Sequence, residues 1–315
     1  MSYKSLWTGR VDEEDGKNGL RWHQVVTFVV EKSVTQPATV LLGYPNDTGI
    51  AANKGRIGAS GGPNALRQSL ANLPWTAEGA LMDAGDAAIH SELSQTQKDF
   101  ARQVTGHLEQ GRKVLALGGG HDIAWGSYQG LRDATGPGNI GVINFDAHLD
   151  LRKPSPNGTS GTPFRQIAEE CARQSKSFNY CCLGVSPASN TPALFDYARQ
   201  SGTQFLYDSD FDFDSAKALL IPMLANIDTL YVTLCMDAFS AAEAPGVSAP
   251  AALGISTNDV IKTLRWLGMY TQQNNISWRL SDIAELNPAF DSDNKTARLA
   301  ARMGFELVTA MHTNP

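Results

Sequence analysis

Residues 140–150 read Ile140-Gly141-Val142-Ile143-Asn144-Phe145-Asp146-Ala147-His148-Leu149-Asp150. A mostly apolar, branched run gives way at once to two acids and an imidazole. Continuous apolar runs of this length, without polar alternation, mark strands buried on both faces. Seven more such runs are at 39–42, 81–83, 113–117, 179–183, 203–207, 229–234 and 278–280. Helical patterns lie between them. Phe100, Val104 and Leu108 repeat at i, i+4, i+8, and Pro63 follows Gly61-Gly62 where a first helical turn tolerates it. Asp214 and Ser215 are candidate caps for a helix carrying Leu219, Leu220, Met223 and Leu224, which Pro222 is expected to kink or interrupt. Strands alternating with helices predict βαβ units and a largely parallel sheet. No linker, composition change or fixed-period repeat divides residues 1–315, so the chain reads as a single domain.

Composition narrows the class further. At 315 residues, folding should remove about 75% of the unfolded chain's surface. Only 18% of residues are charged, below the ~25% of a typical domain, which excludes disorder as the main description. No apolar run reaches the ~18–20 residues of a membrane span. The opening stretch MSYKSLWTGRVDEEDGKNG has no apolar core of a signal peptide. A net charge of −6 without a basic cluster argues against nucleic acid. Cys171, Cys181, Cys182 and Cys235 contain no CxxC pair, so neither a disulfide scaffold nor a zinc finger is expected. The expected address is the cytoplasm, without membrane or nucleic-acid partners.

Four strand ends carry candidate chemistry. Asp146, His148 and Asp150 stand at i, i+2, i+4, so an extended segment would point all three to one side. Two carboxylates and an imidazole gathered after a buried strand are costly unless a cation neutralises them, and oxygen and nitrogen donors favour a borderline-to-hard divalent ion. Gly118-Gly119-Gly120-His121 follows the run at 113–117. It lacks dinucleotide spacing and a Walker lysine; its glycines are expected to let the chain turn sharply and set His121 at the strand end. Cys235 and Asp237 share a face at the end of the run at 229–234, and Glu285 follows the run at 278–280. In open parallel sheets, ligands bind at the carboxyl ends of the strands. His23, His90, His107 and His312 have no metal-like spacing, and Ser127 makes no nucleophile elbow.

Taken together, Gly-Gly-Gly-His (118–121), Asp-Ala-His-x-Asp (146–150), the acid at 237 and Asp-x-x-Glu (282–285) resemble the arginase/agmatinase ureohydrolase superfamily. Asn53-Lys54-Gly55-Arg56 and Gly62-Pro63-Asn64-Ala65-Leu66-Arg67 extend the likeness over nearly the whole chain. Flanking residues are most similar to its formimidoylglutamase branch: Trp7-Thr8-Gly9-Arg10, Leu151-Arg152, Ser160-Gly161-Thr162-Pro163-Phe164-Arg165 and Ala244-Pro245-Gly246-Val247-Ser248-Ala249-Pro250.

The resemblance implies a three-layer α/β/α fold with a central, mainly parallel eight-stranded sheet and two Mn²⁺ ions per chain at its carboxyl edge. By position, His121, Asp146, His148, Asp150 and Asp237 match metal ligands, and Glu285 matches the acid that faces the substrate's amidine. Cys235 stands where the family usually has a bridging Asp, and a thiolate is softer than Mn²⁺ prefers. The implied reaction is hydrolysis of N-formimino-L-glutamate to L-glutamate and formamide, in histidine degradation. A substrate with two carboxylates needs cationic partners, and Arg152, Lys153, Arg56 and Arg165 lie near the motifs. A guanidino hydrolase with the same metal chemistry is the alternative, and a non-catalytic metal-binding protein a lesser one. Superfamily members commonly form trimers or hexamers, so a homo-oligomer falls within the expectation.

Overall fold

A computed structural model of the chain describes residues 3–28, 38–154 and 157–313. Among them, nine strands form one sheet: β1 Val26–Phe28, β2 Ala38–Gly43, β3 Ala80–Asp86, β4 Lys113–Leu117, β5 Ile140–Phe145, β6 Asn179–Val185, β7 Gln204–Tyr207, β8 Thr229–Cys235 and β9 Ser277–Ala284. Their order is β1-β3-β2-β4-β9-β8-β5-β6-β7, and every neighbouring pair is parallel. All eight apolar runs are strands. The ninth, β1, is a three-residue edge strand, half-buried throughout, so it carries no apolar run to read. By contrast β2, β5 and β8 are buried at every position, as helices on both faces require.

The helices are α1 Trp22–Val25, α2 Thr48–Ala52, α3 Gly62–Ala71, α4 Leu93–Glu109, α5 Ile123–Thr135, α6 Pro163–Arg173, α7 Pro192–Ser201, α8 Phe213–Leu224, α9 Thr257–Gln273 and α10 Lys295–Met311. They make two outer layers. Apolar residues of α4, α5, α6 and α7 pack on one face of the sheet, and those of α3, α8, α9 and α10 on the other. The Phe100-Val104-Leu108 stripe is the buried side of α4, and Pro63 sits in the first turn of α3. Helix α8 departs from expectation at both ends. Its cap is Asp212, whose side chain accepts from Ser215 N, while Asp214 and Ser215 fall in the first turn. Pro222 lies so near the end that it removes little, and the helix runs on to Leu224. Among the described residues no helix is long and apolar enough to cross a membrane.

Two of the flanking motifs prove to be architectural. Arg67 is fully buried and binds Asp83 and Asp86, while Trp7 Nε1 donates to Asp83 at 2.8 Å. Together they fasten the amino-terminal segment to the end of β3.

The connections position the site. β4 leads to α5 and β5 to α6 on one face, whereas β8 leads to α9 and β9 to α10 on the other. Within the run β4-β9-β8-β5, the following helices therefore part to opposite sides, leaving a crevice above the strand ends.

Candidate metal centre

A cavity of about 300 Å³ opens in that crevice, with His121, His148, Asp150, Cys235, Asp237 and Glu285 on its wall. His121 follows β4, Glu285 follows β9, Cys235 and Asp237 stand at the end of β8, and Asp146, His148 and Asp150 follow β5.

Local structure explains each placement. The glycines before His121 serve close approach, not a left-handed turn: none of the three has positive φ. A Cβ on Gly119 would stand 2.0 Å from Asn46 O, and one on Gly118 2.5 Å from Ile283 O. The loop can thus lie flat across β9, where Glu285 N donates to Gly119 O and His121 N donates to Glu285 Oε1 at 2.9 Å. The Asp146 triad converges differently from the expected extended segment. The strand stops at Phe145, and the Asp146 carboxylate then accepts from His148 N at 2.7 Å, making a turn. Asp150 closes it with φ at +48°. Asn190 clamps this turn, accepting from Leu149 N and donating to Ala147 O. Glu285, at φ +67°, and Lys54, at +64°, are also left-handed and on the cavity wall. Non-glycine residues hold such a conformation only where surrounding structure enforces it, as functional sites do.

Distances show the convergence. His121 Nδ1 lies 2.9 Å from Asp146 Oδ2 and 3.1 Å from Asp150 Oδ2. His148 Nδ1 lies 3.1 Å from Asp237 Oδ2 and 3.4 Å from Asp146 Oδ1. Donor atoms fall into two tight groups, His121-Asp146-Cys235 and Asp146-His148-Asp237, each within 4.8 Å. Asp146 belongs to both. Burial and so much negative charge together shift the titration of the acid, imidazole and thiol groups gathered there. Burial and the charge of Asp146 push Asp150 up to about 6, and burial with the charge of Asp237 pushes Glu285 up to about 8. Burial and three neighbouring carboxylates hold the Cys235 thiol well above its ordinary range. Burial opposes charging of His121 and His148, yet the carboxylates beside them raise both well above the usual imidazole value.

Divalent cations fit this arrangement. His121 Nδ1, Asp237 Oδ1 and Glu285 Oε2 are buried with no hydrogen-bond partner among the described residues, and leaving such an atom unpaired costs about 1–3 kcal/mol. Cations held by the two donor groups would satisfy the first two atoms and offset the carboxylate repulsion. Imidazole and carboxylate suit ions of the manganese type, with the Cys235 thiol as the one soft donor.

The four cations named from sequence separate. Arg152 lines the cavity, and among the described residues its guanidinium has no ion pair. Arg56 also lines it, but its side chain donates to Ser248 O and Val247 O and covers the Phe290 ring. Those bonds tie the 53–58 loop to the Ala244–Pro250 motif. Arg165 is engaged elsewhere, paired with Glu169 at 3.2 Å and stacked on Tyr197, and it lines an adjoining groove together with Lys153. Sequence reasoning passed over Lys54 and Ser160, which line the cavity. Their signal was membership of motifs already quoted; Asn190 had none, being joined to the Asp146 turn only through folding.

Comparison with known proteins agrees with this geometry. The Arginase family model matches residues 37–310. A formimidoylglutamase of Aromatoleum aromaticum is 45% identical, covering 98% of this chain and 93% of its own. One of Ralstonia nicotianae is 44% identical, covering 95% and 93%. Among solved structures, Trypanosoma cruzi formiminoglutamase with Mn²⁺ superposes with a TM-score of 0.78 at 26% identity, covering 100% of this chain and 99% of that one. The fold is also that of the Bacillus subtilis formimidoylglutamase, with a TM-score of 0.81 at 22% identity, covering 94% and 93%. On this match, and on the site just described, the chain belongs to the arginase family.

Proposed function

We propose that this chain hydrolyses N-formimino-L-glutamate to L-glutamate and formamide, using two manganese ions. The observation that carries the reading is the polarity of the cavity. Acid and imidazole groups occupy the strand ends, while Lys54, Arg56 and Arg152 stand on the same wall. A substrate with a cationic amidine at one end and two carboxylates at the other matches both. The relatives named above support it.

His121, Asp146 and Cys235 would hold one ion, with Asp150 beside it, and Asp146, His148 and Asp237 the other. Bound there, the ions supply Lewis-acid stabilisation and bring the ionisation of water towards neutral pH. Glu285 Oε2, buried and unpartnered, accepts an N–H of the amidinium and orients the formimino carbon. Water adds to that carbon and the bond to the glutamate nitrogen breaks, so formamide takes the water oxygen and glutamate keeps its amine. The guanidinium of Arg152, without an ion pair among the described residues, anchors a carboxylate at the far end.

Purified Mn-loaded protein tests this against formiminoglutamate, arginine, agmatine and 4-guanidinobutyrate. Glutamate and formamide from the first alone are expected; urea from a guanidine, with formiminoglutamate untouched, favours the guanidino-hydrolase alternative. Arg152→Met should raise KM for formiminoglutamate about 10–100-fold, the scale of a lost charge-assisted hydrogen bond, with the metal count unchanged by mass spectrometry. Cys235→Asp should bind Mn²⁺ more tightly by calorimetry, an oxygen replacing the soft thiol. It should also lose the peroxide sensitivity, reversible by reductant, expected of the parent thiol once bound cations favour its thiolate. Equal peroxide inactivation of both proteins would refute that role for Cys235.

A further inference from the structure

Asn287 stands two residues after Glu285, is fully buried and does not line the cavity. The chemistry above gives it no role, yet it touches three segments that build the cavity wall. Its backbone N donates to Gly246 O at 2.8 Å, which holds the Ala244–Pro250 motif. Its side-chain Nδ2 donates to Arg56 O at 3.0 Å and to Ile57 O at 3.2 Å, which holds the 53–58 loop. The third segment is its own, the turn that carries Glu285. From these segments Lys54, Arg56, Ser248, Ala249 and Glu285 reach the cavity.

The packing is close. Gly58, at φ +130°, has no room for a side chain, since a Cβ there would stand 2.4 Å from Asn287 Oδ1. Arg56 N donates to Ser248 Oγ at 2.9 Å, so the loop and the motif are joined to each other as well. Breaking any of the Asn287 bonds strands a buried polar atom, so the amide holds the segments at a fixed spacing. Within the loop, Arg56 spends its guanidinium on the carbonyls of Val247 and Ser248. Lys54 lines the cavity, and among the described residues its ammonium has no ion pair. Lys153 lies outside, in the adjoining groove. Arg152 accounts for one carboxylate of the proposed substrate, and Lys54 is the cation left for the other.

We propose that Asn287 is a positioning residue that fixes the 53–58 loop against the Glu285 turn. It thereby sets the reach between the acid facing the amidine and Lys54, the partner of the second substrate carboxylate. The inference rests on the proposed formiminoglutamate reaction and adds to it one substrate contact and the residue that holds it. Asn287 Oδ1 also accepts from Ala289 N, capping the turn Pro288–Phe290. Aspartate and serine cap as well as asparagine does, so substitution separates the two roles.

Steady-state kinetics on Mn-loaded protein provide the test, with metal counted by mass spectrometry and melting recorded for each variant. Lys54→Met should raise KM for formiminoglutamate about 10–100-fold, the scale of a lost charge-assisted hydrogen bond. Asn287→Asp keeps the cap but turns an acceptor towards the Arg56 and Ile57 carbonyls. The displaced loop should raise KM about 10–100-fold, the scale of a small misplacement in a positioning group. In both variants kcat and the metal count should be unchanged, the pattern left when uniform binding is removed. Asn287→Ser caps but is too short to reach the loop; it should show the same pattern, and it decides the matter if Asn287→Asp fails to fold. The double variant Lys54→Met/Asn287→Asp should be little worse than Lys54→Met alone, because one residue acts through the other. A parent-like KM in Lys54→Met, or in the folded variants at 287, overturns the proposal. So do losses that multiply in the double variant, or a fall in kcat or metal content as large as the rise in KM. A parent inactive on formiminoglutamate overturns the proposed function and this inference together, whereas an active parent with indifferent variants overturns this inference alone.

Discussion

Asp146→Ala is expected to empty both cation sites at once. Turnover should fall about 10³-fold or more, the scale lost when a member of a catalytic unit is removed. The reason is geometric: Asp146 is the one donor common to both ligand groups. Its two oxygens are also held locally, Oδ1 by His148 N and Oδ2 by Asn144 Nδ2 at 3.1 Å, which fixes the carboxylate between the two groups. Metal counting after dialysis, paired with turnover, checks the expectation. A variant that retains two ions and most of its activity would refute the shared-ligand arrangement. Asp150→Ala should likewise cost metal and activity, since Asp150 touches the cluster through His121. Both variants should still unfold cooperatively, because the apolar cores lie on the two faces of the sheet and not at its carboxyl edge.

Glu285→Gln should separate binding of metal from turnover. A neutral amide of the same shape cannot balance a buried amidinium, and breaking one side of a buried ion pair costs about 3–5 kcal/mol. That corresponds to about 10²–10³-fold or more in kcat/KM, with two ions still bound. If metal is lost along with activity, Glu285 is a ligand and its assignment to the substrate fails. The backbone argues for the substrate role. Glu285 is held left-handed, its amide donates to Gly119 O, and Oε1 is taken by His121 N, which leaves Oε2 alone to face the cavity. The side chain is therefore clamped at one oxygen and presented at the other.

Much of this was readable before folding. An apolar strand at 140–145 that ends in Asp146, His148 and Asp150 announces both burial on two faces and a cation requirement, because each follows from short-range chemistry. The same holds for His121 after its glycines and for Cys235 and Asp237 after β8. What could not be read is how these pieces meet. His121 and Glu285 are 164 residues apart and share a hydrogen bond. The glycines before His121 suggest a sharp turn but serve close approach, because Asn46 and Ile283 arrive against them from elsewhere in the chain.

By itself, then, the sequence determined eight of the nine described strands, which of them end in acid or imidazole, and that divalent metal should be wanted there. Apolar runs and charges carry that information locally. Only the tertiary structure decided that β4, β9, β8 and β5 lie side by side, so that four strand ends become one cavity. It alone decided that Arg152 has no ion pair among the described residues while Arg165 is paired with Glu169, and that Thr233 meets His121. Strand order and hydrogen-bond partners arise from pairing between distant segments, and no local pattern encodes which distant segment a strand will find.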